Sequence, residues 1–319
     1  MNLAFLRIAL IVFCCLTSMG ARAQGCSDAG FCTMGAMKPD QPYNKKIQLR
    51  LLTMELSFYR GTTTLTPIVY VATADMNFRL NSRNTFQVKL PYQHVEGRLA
   101  TTGSMGDISL CLTRNLASTD RFDVNLSVGA KIPTNNSDQK TSEGNALPMY
   151  YQTSLGTYDL IAGLSVINRK WLFATGIQVP LNQNKNNFDW HRWVDNDPDE
   201  LAYVQRYANA TDLRRGIDVM LRVERNFRLN RFNLSLGLLP IYRVKADEIT
   251  SFTGARTSFD LAGHEARGLA LSGIITTGYN FNVRSGIKLL VGHKIVQRDF
   301  SPDGLTREFV SSFTYSYRF

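Results

Sequence analysis

Five charged side chains and one glutamine recur at matching places along the chain. Two lysines and a glutamine, each two residues before a proline, alternate with aspartates that follow soon after a glycine. The six are Lys89, Asp107, Lys131, Asp159, Gln178 and Asp218. Opposite charges on neighbouring strands stabilise a sheet as a structural lattice, and the same charges around a hydrated lumen form a constriction that selects solutes. Arg222 extends the set, with Arg214, Glu224 and Arg243.

Residues for catalysis are not grouped in the sequence. The four histidines are scattered, and the chain contains no H-E-x-x-H, G-x-S-x-G or phosphate-binding glycine loop. The His-x-Ser-Asn-Gly stretch of the outer-membrane phospholipase is also missing. The sequence therefore predicts a protein that is not an enzyme and that needs no cofactor.

One acidic cluster has carboxylates at alternate positions, as hard cations prefer. It comprises Asp195, Asp197, Asp199 and Glu200. Pro198 interrupts the cluster, and the glycine and distal glutamate of a calcium loop are missing. We therefore expect a solvated acidic loop tip and no metal site.

The elements that position these residues follow a period of two. In residues 122–132 every second side chain is apolar, from Phe122 to Ile132, and the residues between are polar or glycine. The same alternation predicts twelve strands. They cover residues 47–58, 68–80, 86–92, 108–112, 122–132, 158–166, 171–181, 217–223, 232–238, 269–281, 287–295 and 309–319.

The connections between these strands alternate in length. Short polar turns fall near residues 81–84, 117–121, 168–170, 225–231 and 282–286, while long connections cover 135–149, 182–212 and 246–267. Lipid cannot hydrogen-bond a backbone, so a spanning sheet must close on itself and turn every second side chain outward. The pattern predicts an all-β fold, a twelve-stranded antiparallel transmembrane β-barrel over residues 46–319. Its long loops would face the cell exterior.

Four prolines stand late in four predicted strands. They are Pro91, Pro133, Pro180 and Pro240. Proline cannot donate to a sheet ladder, so each could simply end its strand. The alternative is a ring of kinks that shapes the barrel mouth or opens its wall.

The N-terminal residues have the layout of an exported protein. Residues 1–23 combine Arg7, an apolar stretch and Ala21-Arg22-Ala23, as in a secretory signal peptide. Residues 24–45 would form a short periplasmic segment in which Cys26 and Cys32 pair as a disulfide, with lipidation of Cys26 as the alternative. Because export excludes nucleic acid, the formal net charge of +10 must serve a surface or a pore.

The last strand alternates aromatic residues up to the final position. Phe313, Tyr315, Tyr317 and Phe319 resemble the C-terminal signal read by the outer-membrane assembly machinery. An amphipathic edge strand of this kind can pair with another sheet edge. We expect that machinery and the outer-membrane lipids to be partners of the chain.

Several motifs resemble those of a known family. Gly106-Asp107-Ile108, residues 129–134 with Lys131 and Pro133, residues 156–159, and Pro302-Asp303-Gly304 resemble outer-membrane barrels labelled as meta-pathway phenol-degradation proteins, which are relatives of FadL-like channels. The cysteine-containing N-terminal segment resembles exported barrels of Bacteroidetes-type bacteria. The resemblance implies a channel or transporter in a Gram-negative outer membrane, with hydrophobic or aromatic compounds among its small-molecule solutes. We expect a monomer. A plugged barrel that serves assembly or surface interaction is the alternative.

Overall fold

The computed structural model describes residues 34–38, 53–193, 198–258, 266–298 and 300–319. The predicted signal peptide, the Cys26–Cys32 disulfide and the acidic residues Asp195 and Asp197 lie outside the described residues. No helix within these ranges is long and apolar enough to cross a membrane.

Twelve antiparallel strands close into one barrel, as the alternation predicted. The strands are β1 (Thr53–Thr63), β2 (Ile68–Arg79), β3 (Asn84–Glu96), β4 (Thr101–Met105) with β5 (Ile108–Ser118) as two parts of one barrel strand, β6 (Phe122–Ile132), β7 (Asp159–Asn168), β8 (Trp171–Pro180), β9 (Asp218–Leu229), β10 (Phe232–Arg243), β13 (Gly268–Asn280), β14 (Ser285–Val296) and β15 (Arg307–Arg318). Pairing of β1 with β15, from Thr53 opposite Arg318, closes the sheet. A small hairpin of β11 (Ile249–Thr250) and β12 (Arg256–Thr257) lies in a loop.

Asparagine side chains shape the short turns at one end of the barrel. The Oδ1 atoms of Asn81, Asn168 and Asn282 each accept hydrogen bonds from two backbone N–H groups two and three residues further on, at 2.7–3.0 Å. Asparagine favours such turns because its side chain replaces a backbone acceptor. These turns hold adjacent strands in register and leave the long connections at the other end. We call the two ends the short-turn end and the long-loop end.

The outer wall of the barrel is apolar. On β6, Leu126 and Val128 are 39% and 48% exposed, whereas Ser127 between them is 1% exposed. The same contrast recurs on β8, where Phe173 is exposed and Ala174 is buried. Large apolar side chains on an outer surface are stable only against lipid. The chain is therefore a membrane-spanning barrel, which agrees with the predicted outer-membrane localisation.

A short N-terminal segment lies inside the barrel. It comprises Met34–Lys38 with the 3₁₀ turn η1 (Gly35–Met37), and it packs against β5, β6, β7 and β8. The side chains of Met34 and Met37 are fully buried. Gly35 has φ +47°, and a Cβ there would come within 2.6 Å of Cys111 Sγ, so only glycine fits. Thus five residues of the segment 24–45, which we expected on the periplasmic side, occupy the lumen.

The long loops fold into a hydrophobic cap over the long-loop end. They contain η2 (Met149–Tyr151), η3 (Trp190–Trp193) and the helix α1 (Pro198–Val204). Tyr151, Phe188, Trp193 and Tyr207 form a buried cluster there with inward-facing valines of β2. Tyr203 and Tyr207 share a hydrogen bond of 2.7 Å between their hydroxyls. The cap therefore packs as a core of its own, continuous with the upper inner wall.

Candidate functional site: two charged regions in the barrel lumen

All seven lumen residues predicted from the sequence are buried inside the barrel. Their exposed fractions lie between 1% and 8% for Lys89, Asp107, Lys131, Asp159, Gln178, Asp218 and Arg222. The period of two places them there, because their neighbours along each strand point to lipid. Glu224 and Arg243 are buried as well, whereas Arg214 is exposed. The prediction for Arg214 was wrong by one position, since Arg215 occupies the interior.

The predicted alternation of charge pairs is only partly realised. Lys131 Nζ lies 3.6 Å from Asp107 Oδ2 on the neighbouring strand. Lys89, however, pairs with Asp75 on β2 at 3.7 Å. The predicted pairs lie on strands that carry a proline or glycine motif, and β2, which contains Asp75, carries neither. The structure therefore forms smaller groups in place of one ring.

The first group joins the N-terminal segment to the wall, and we call it the lysine layer. Its members are Lys38, Glu55, Asp75, Gln87, Lys89, Asp107 and Lys131. Lys38 Nζ contacts Glu55 Oε2 at 2.7 Å and Asp75 Oδ2 at 3.4 Å. Gln87 Nε2 donates to both oxygens of Asp75, at 2.9 and 2.8 Å. Gln87 Oε1 also accepts from the Gly35 N–H at 2.8 Å. These polar contacts thus hold the segment to β1, β2 and β3.

The second group lies at the long-loop end, and we call it the arginine cluster. Its members are Asp159, Arg215, Asp218, Arg243, Asp247 and Asp303. Arg243 contacts Asp218 in a bidentate pair, at 2.8 Å from Nε and 2.6 Å from Nη2. It also binds Asp247 at 2.5 Å and Asp303 at 2.8 Å. Arg215 Nη1 donates to Asp159 Oδ2 at 2.7 Å, and Gln178 donates to the same carboxylate. These bonds tie three loops to the strands beneath them.

Two carboxylates of the cluster lie in loops and have shifted acidities. Burial would raise the pKa of Asp303, but the positive charges of Arg243, Arg298 and Arg215 hold it well below its usual range. Burial dominates at Asp247 and raises its pKa. The two loop carboxylates that contact the Arg243 guanidinium therefore have pKa values shifted in opposite directions.

Arg222 belongs to neither group. Its Nε donates to Glu224 Oε1 at 2.5 Å, and Glu224 in turn accepts from Ser235 Oγ at 3.1 Å. Arg222 Nη1 also reaches the backbone oxygen of Met37 at 3.4 Å. It therefore supports the N-terminal segment from the opposite wall.

Two cavities lie on either side of the lysine layer. The cavity at the short-turn end has a volume of about 980 Å³ and includes Lys38, Glu55 and Gln87 in its lining. The cavity at the long-loop side has a volume of about 90 Å³ and includes Lys89 and Lys131. We call them the large cavity and the small cavity. Gln87 and Lys89 are consecutive inward residues of β3, so the lysine layer lies between the two spaces, beside the buried apolar cluster around Met34 and Met37.

The four prolines divide into two kinds. Pro133 follows the end of β6 directly, and Pro180 is the last residue of β8. Pro91 lies within β3, where the partner strand bulges at Gly106, whose N–H bonds Pro91 O at 2.8 Å. Pro240 lies within β10, where pairing with β9 is interrupted between Leu238 and Ile241. Two prolines thus end strands, and two interrupt ladders.

The remaining predicted features lie outside the lumen. Phe313, Tyr315 and Phe319 are exposed on or directly after β15. Asp199 and Glu200 open helix α1, and no group of three potential metal ligands occurs among the described residues. In the same long loop, the ring of His191 stacks on Trp190 with centroids 3.7 Å apart. An assembly role of the last strand stays a prediction.

Several lumen residues could not be found from the sequence. Lys38 lies in a short segment without periodicity, and Asp247 and Asp303 lie in loops. Glu55 and Asp75 did have a signal, because each stands between outward apolar residues of a strand. Reading the alternation of β1 and β2 for inward charges would have identified both.

Solved structures with a similar fold are outer-membrane proteins. The COG4313 outer membrane channel from Pseudomonas putida F1 has a TM-score of 0.61 at 12% identity, over 88% of this chain and 99% of that chain. The NanC porin has a TM-score of 0.44 at 10% identity, over 84% and 98%. The outer membrane phospholipase A from Escherichia coli has a TM-score of 0.38 at 8% identity, over 83% and 95%. No protein-family model and no curated protein matches the sequence.

The first of these likenesses confirms the fold of an outer-membrane β-barrel. It does not extend to the FadL-like relationship or to a Bacteroidetes-type origin, and both stay predictions.

Proposed function

We propose that the protein is an outer-membrane channel that passes small molecules, and that Met34–Lys38 blocks the pathway in the conformation described. One observation carries the proposal: among the described residues, the two cavities are divided by the lysine layer and by the segment Met34–Lys38 with the apolar side chains packed on it. A barrel that served only as a scaffold would gain stability from a continuous packed core. Here a cavity of about 980 Å³ extends through the short-turn end of the lumen up to that division.

The segment Met34–Lys38 packs against the wall through adaptable side chains. Met34 and Met37 contact the wall through unbranched thioether side chains, which adapt readily to new surroundings. The wall accommodates them with glycines: a Cβ at Gly129 would come within 2.8 Å of Met34 Cε, and one at Gly163 within 3.0 Å of Met37 Sδ. Lys38 is the only described residue of the segment with a charged side chain. Displacing the segment toward the large cavity would keep that ammonium hydrated.

The second part of the proposal concerns the chemical class of the solute. The resemblance to meta-pathway barrels implies hydrophobic or aromatic compounds. The lining of the lumen is instead rich in charged and amide side chains, which favours small polar solutes. A liposome-swelling panel of small aromatics, sugars and carboxylates separates these classes.

Conductance tests the proposal. The purified full-length protein in planar bilayers should give discrete current steps, and Lys38→Gln should raise the open fraction, because it removes the ion pairs with Glu55 and Asp75. Lys170→Gln, at an exposed short turn, is the matched control and should behave as the wild type. Silence of both the wild type and Lys38→Gln, with folded protein, would contradict a channel.

Such silence would favour the second candidate, a plugged barrel that acts through its loops. The hydrophobic cap and the buried arginine cluster support that alternative, because both close the long-loop end. Its role would be surface interaction or assembly.

A further inference from the structure

The small cavity contains a buried cation that lacks a counter-ion. Arg307, the first residue of β15, is 7% exposed and lines this cavity. Its side chain donates to the backbone oxygen of Gly304 at 3.0 Å. Among the described residues, no carboxylate forms an ion pair with it. A guanidinium has five N–H donors, and a buried charge is costly when it is not paired.

The charges around the cavity leave room for one anion. Of the three cations in the lining, Lys89 pairs with Asp75 at 3.7 Å and Lys131 with Asp107 at 3.6 Å, so among the described residues the positive charge without an ion pair is that of Arg307. The two acids of the lining, Asp107 and Asp303, already have strong partners. Asp107 accepts from Ser154 Oγ at 2.5 Å and from the Leu155 N–H at 3.2 Å, and Asp303 contacts Arg243 at 2.8 Å.

One part of the lining is apolar. Val69 and Val71 point inward from β2, against the usual polarity of a barrel lumen, and they are 1% and 6% exposed. Pro91, Met149 and Leu305 are further apolar residues of the lining, and its uncharged polar side chains include Thr73, Gln93, Ser109, Gln152, Thr153 and Ser154. The cavity therefore offers a short alkyl group an apolar surface beside charged and polar groups.

The volume limits the size of that ligand. At about 90 Å³ the small cavity is smaller than the cavity of about 150 Å³ that accepts benzene in an engineered protein. Acetate or propionate would fit, whereas benzoate would not.

We infer that the small cavity is a binding site for short-chain carboxylates, with Arg307 as the principal anion ligand, assisted by Lys89 and Lys131. Arginine suits the role because its planar fork pairs with a carboxylate in a bidentate manner. The claim that such carboxylates are transported rests on the proposed channel. The claim that the small cavity binds them does not depend on it.

Isothermal titration of the full-length protein in detergent tests the site. Propionate should bind, and propionamide, its neutral analogue of the same shape, should not. Benzoate should bind at least about tenfold more weakly than propionate. Equal binding of propionate and propionamide, or tighter binding of benzoate, would overturn the inference, as would binding of chloride or phosphate in preference to propionate.

Variants locate the binding residues. Arg307→Gln should weaken propionate binding about tenfold or more, the usual effect of losing a charged hydrogen bond, and Arg307→Lys should restore part of it. Arg169→Gln, in an exposed short turn, should bind as the wild type. If Arg307→Gln fails to fold, the comparison of these five ligands on the wild type still decides.

Binding and transport can fail separately. Propionate binding without any conductance would contradict the proposed channel and support the binding site. Conductance with no preference for propionate over propionamide, in binding and in liposome swelling, would contradict the binding site and support the channel.

Discussion

The arginine cluster and the lysine layer contain similar numbers of charges, but they hold them differently. In the arginine cluster, Arg243 makes five contacts of 2.5–2.8 Å to three aspartates, and its side chain has no exposed surface. In the lysine layer, Lys38 contacts Glu55 at 2.7 Å, but Lys89 and Lys131 lie 3.7 and 3.6 Å from the carboxylates of Asp75 and Asp107, and both border a cavity. One region is closely packed throughout, and the other contains longer ion pairs beside a cavity.

The difference follows from the side chains and from what they connect. A planar guanidinium is preorganised for bidentate pairs and is weakly hydrated, so it suits a permanent junction between loops and strands. An ammonium is a compact, strongly hydrated charge on a flexible stem, so its pairs can open to water with little loss. The same barrel therefore has arginine at the junction of the loops with the strands, and lysine where the pathway would open in the proposed channel.

The largest expected effect comes from breaking the arginine cluster. Arg243→Gln leaves three buried aspartates without their shared cation, which costs about 3–5 kcal/mol for a buried pair. The amount of heat-modifiable, folded barrel in the outer membrane should fall sharply. Arg169→Gln, at an exposed turn, is the control and should fold normally. Normal folding of Arg243→Gln would show that the cluster is no lattice.

Acid should weaken the arginine cluster. The lowered pKa of Asp303 means that its stabilisation is present above its unfolded pKa of about 3.9 and is lost as the pH falls through the folded pKa. The raised pKa of Asp247 acts in the opposite sense. Thermal unfolding measured from pH 7 down to pH 2 should show a loss of stability at the acid end. Asp303→Asn should flatten that loss, and an unchanged acid profile in Asp303→Asn would contradict the assignment.

Changes in the lysine layer should affect stability least. Lys89→Gln with Lys131→Gln removes two long ion pairs that border a cavity. If water fills that cavity, as in the proposed channel, we expect a cost of about 1 kcal/mol for each lysine at most, whereas in a dry layer the unpaired aspartates would cost about 3–5 kcal/mol for each pair. Urea unfolding of the folded barrel measures this cost. A loss as large as that of Arg243→Gln would erase the distinction between the two regions.

The sequence determined the wall far better than the interior. A period of two predicts twelve strands and the inward direction of Lys89, Asp107 and Lys131, because lipid on one side forces every second residue to be apolar. The partners of these residues were not predictable in the same way. Arg243 meets Asp247 and Asp303 only because two loops fold back over the barrel, and no local pattern fixes such a contact.

The N-terminal segment shows the same limit. Five residues around Gly35 are too few for periodicity, and their fit depends on glycines at positions 129, 163 and 176 of the distant wall. Taken alone, these glycines indicate only flexible or weak strand positions. The close approach of Met34 and Met37 explains why glycine is needed at these positions, and the sequence alone does not show that contact.

The ion selectivity of the Lys89→Gln, Lys131→Gln double variant tests the central claim most directly. Reversal potentials in a potassium chloride gradient, measured beside heat-modifiability, report the field of the pathway and the folding of the barrel in the same preparation. If the lysine layer lines the conducting pathway, the variant folds, conducts and shifts toward cation preference relative to the wild type. A destabilised and silent variant, or a conducting one with unchanged selectivity, would contradict the account.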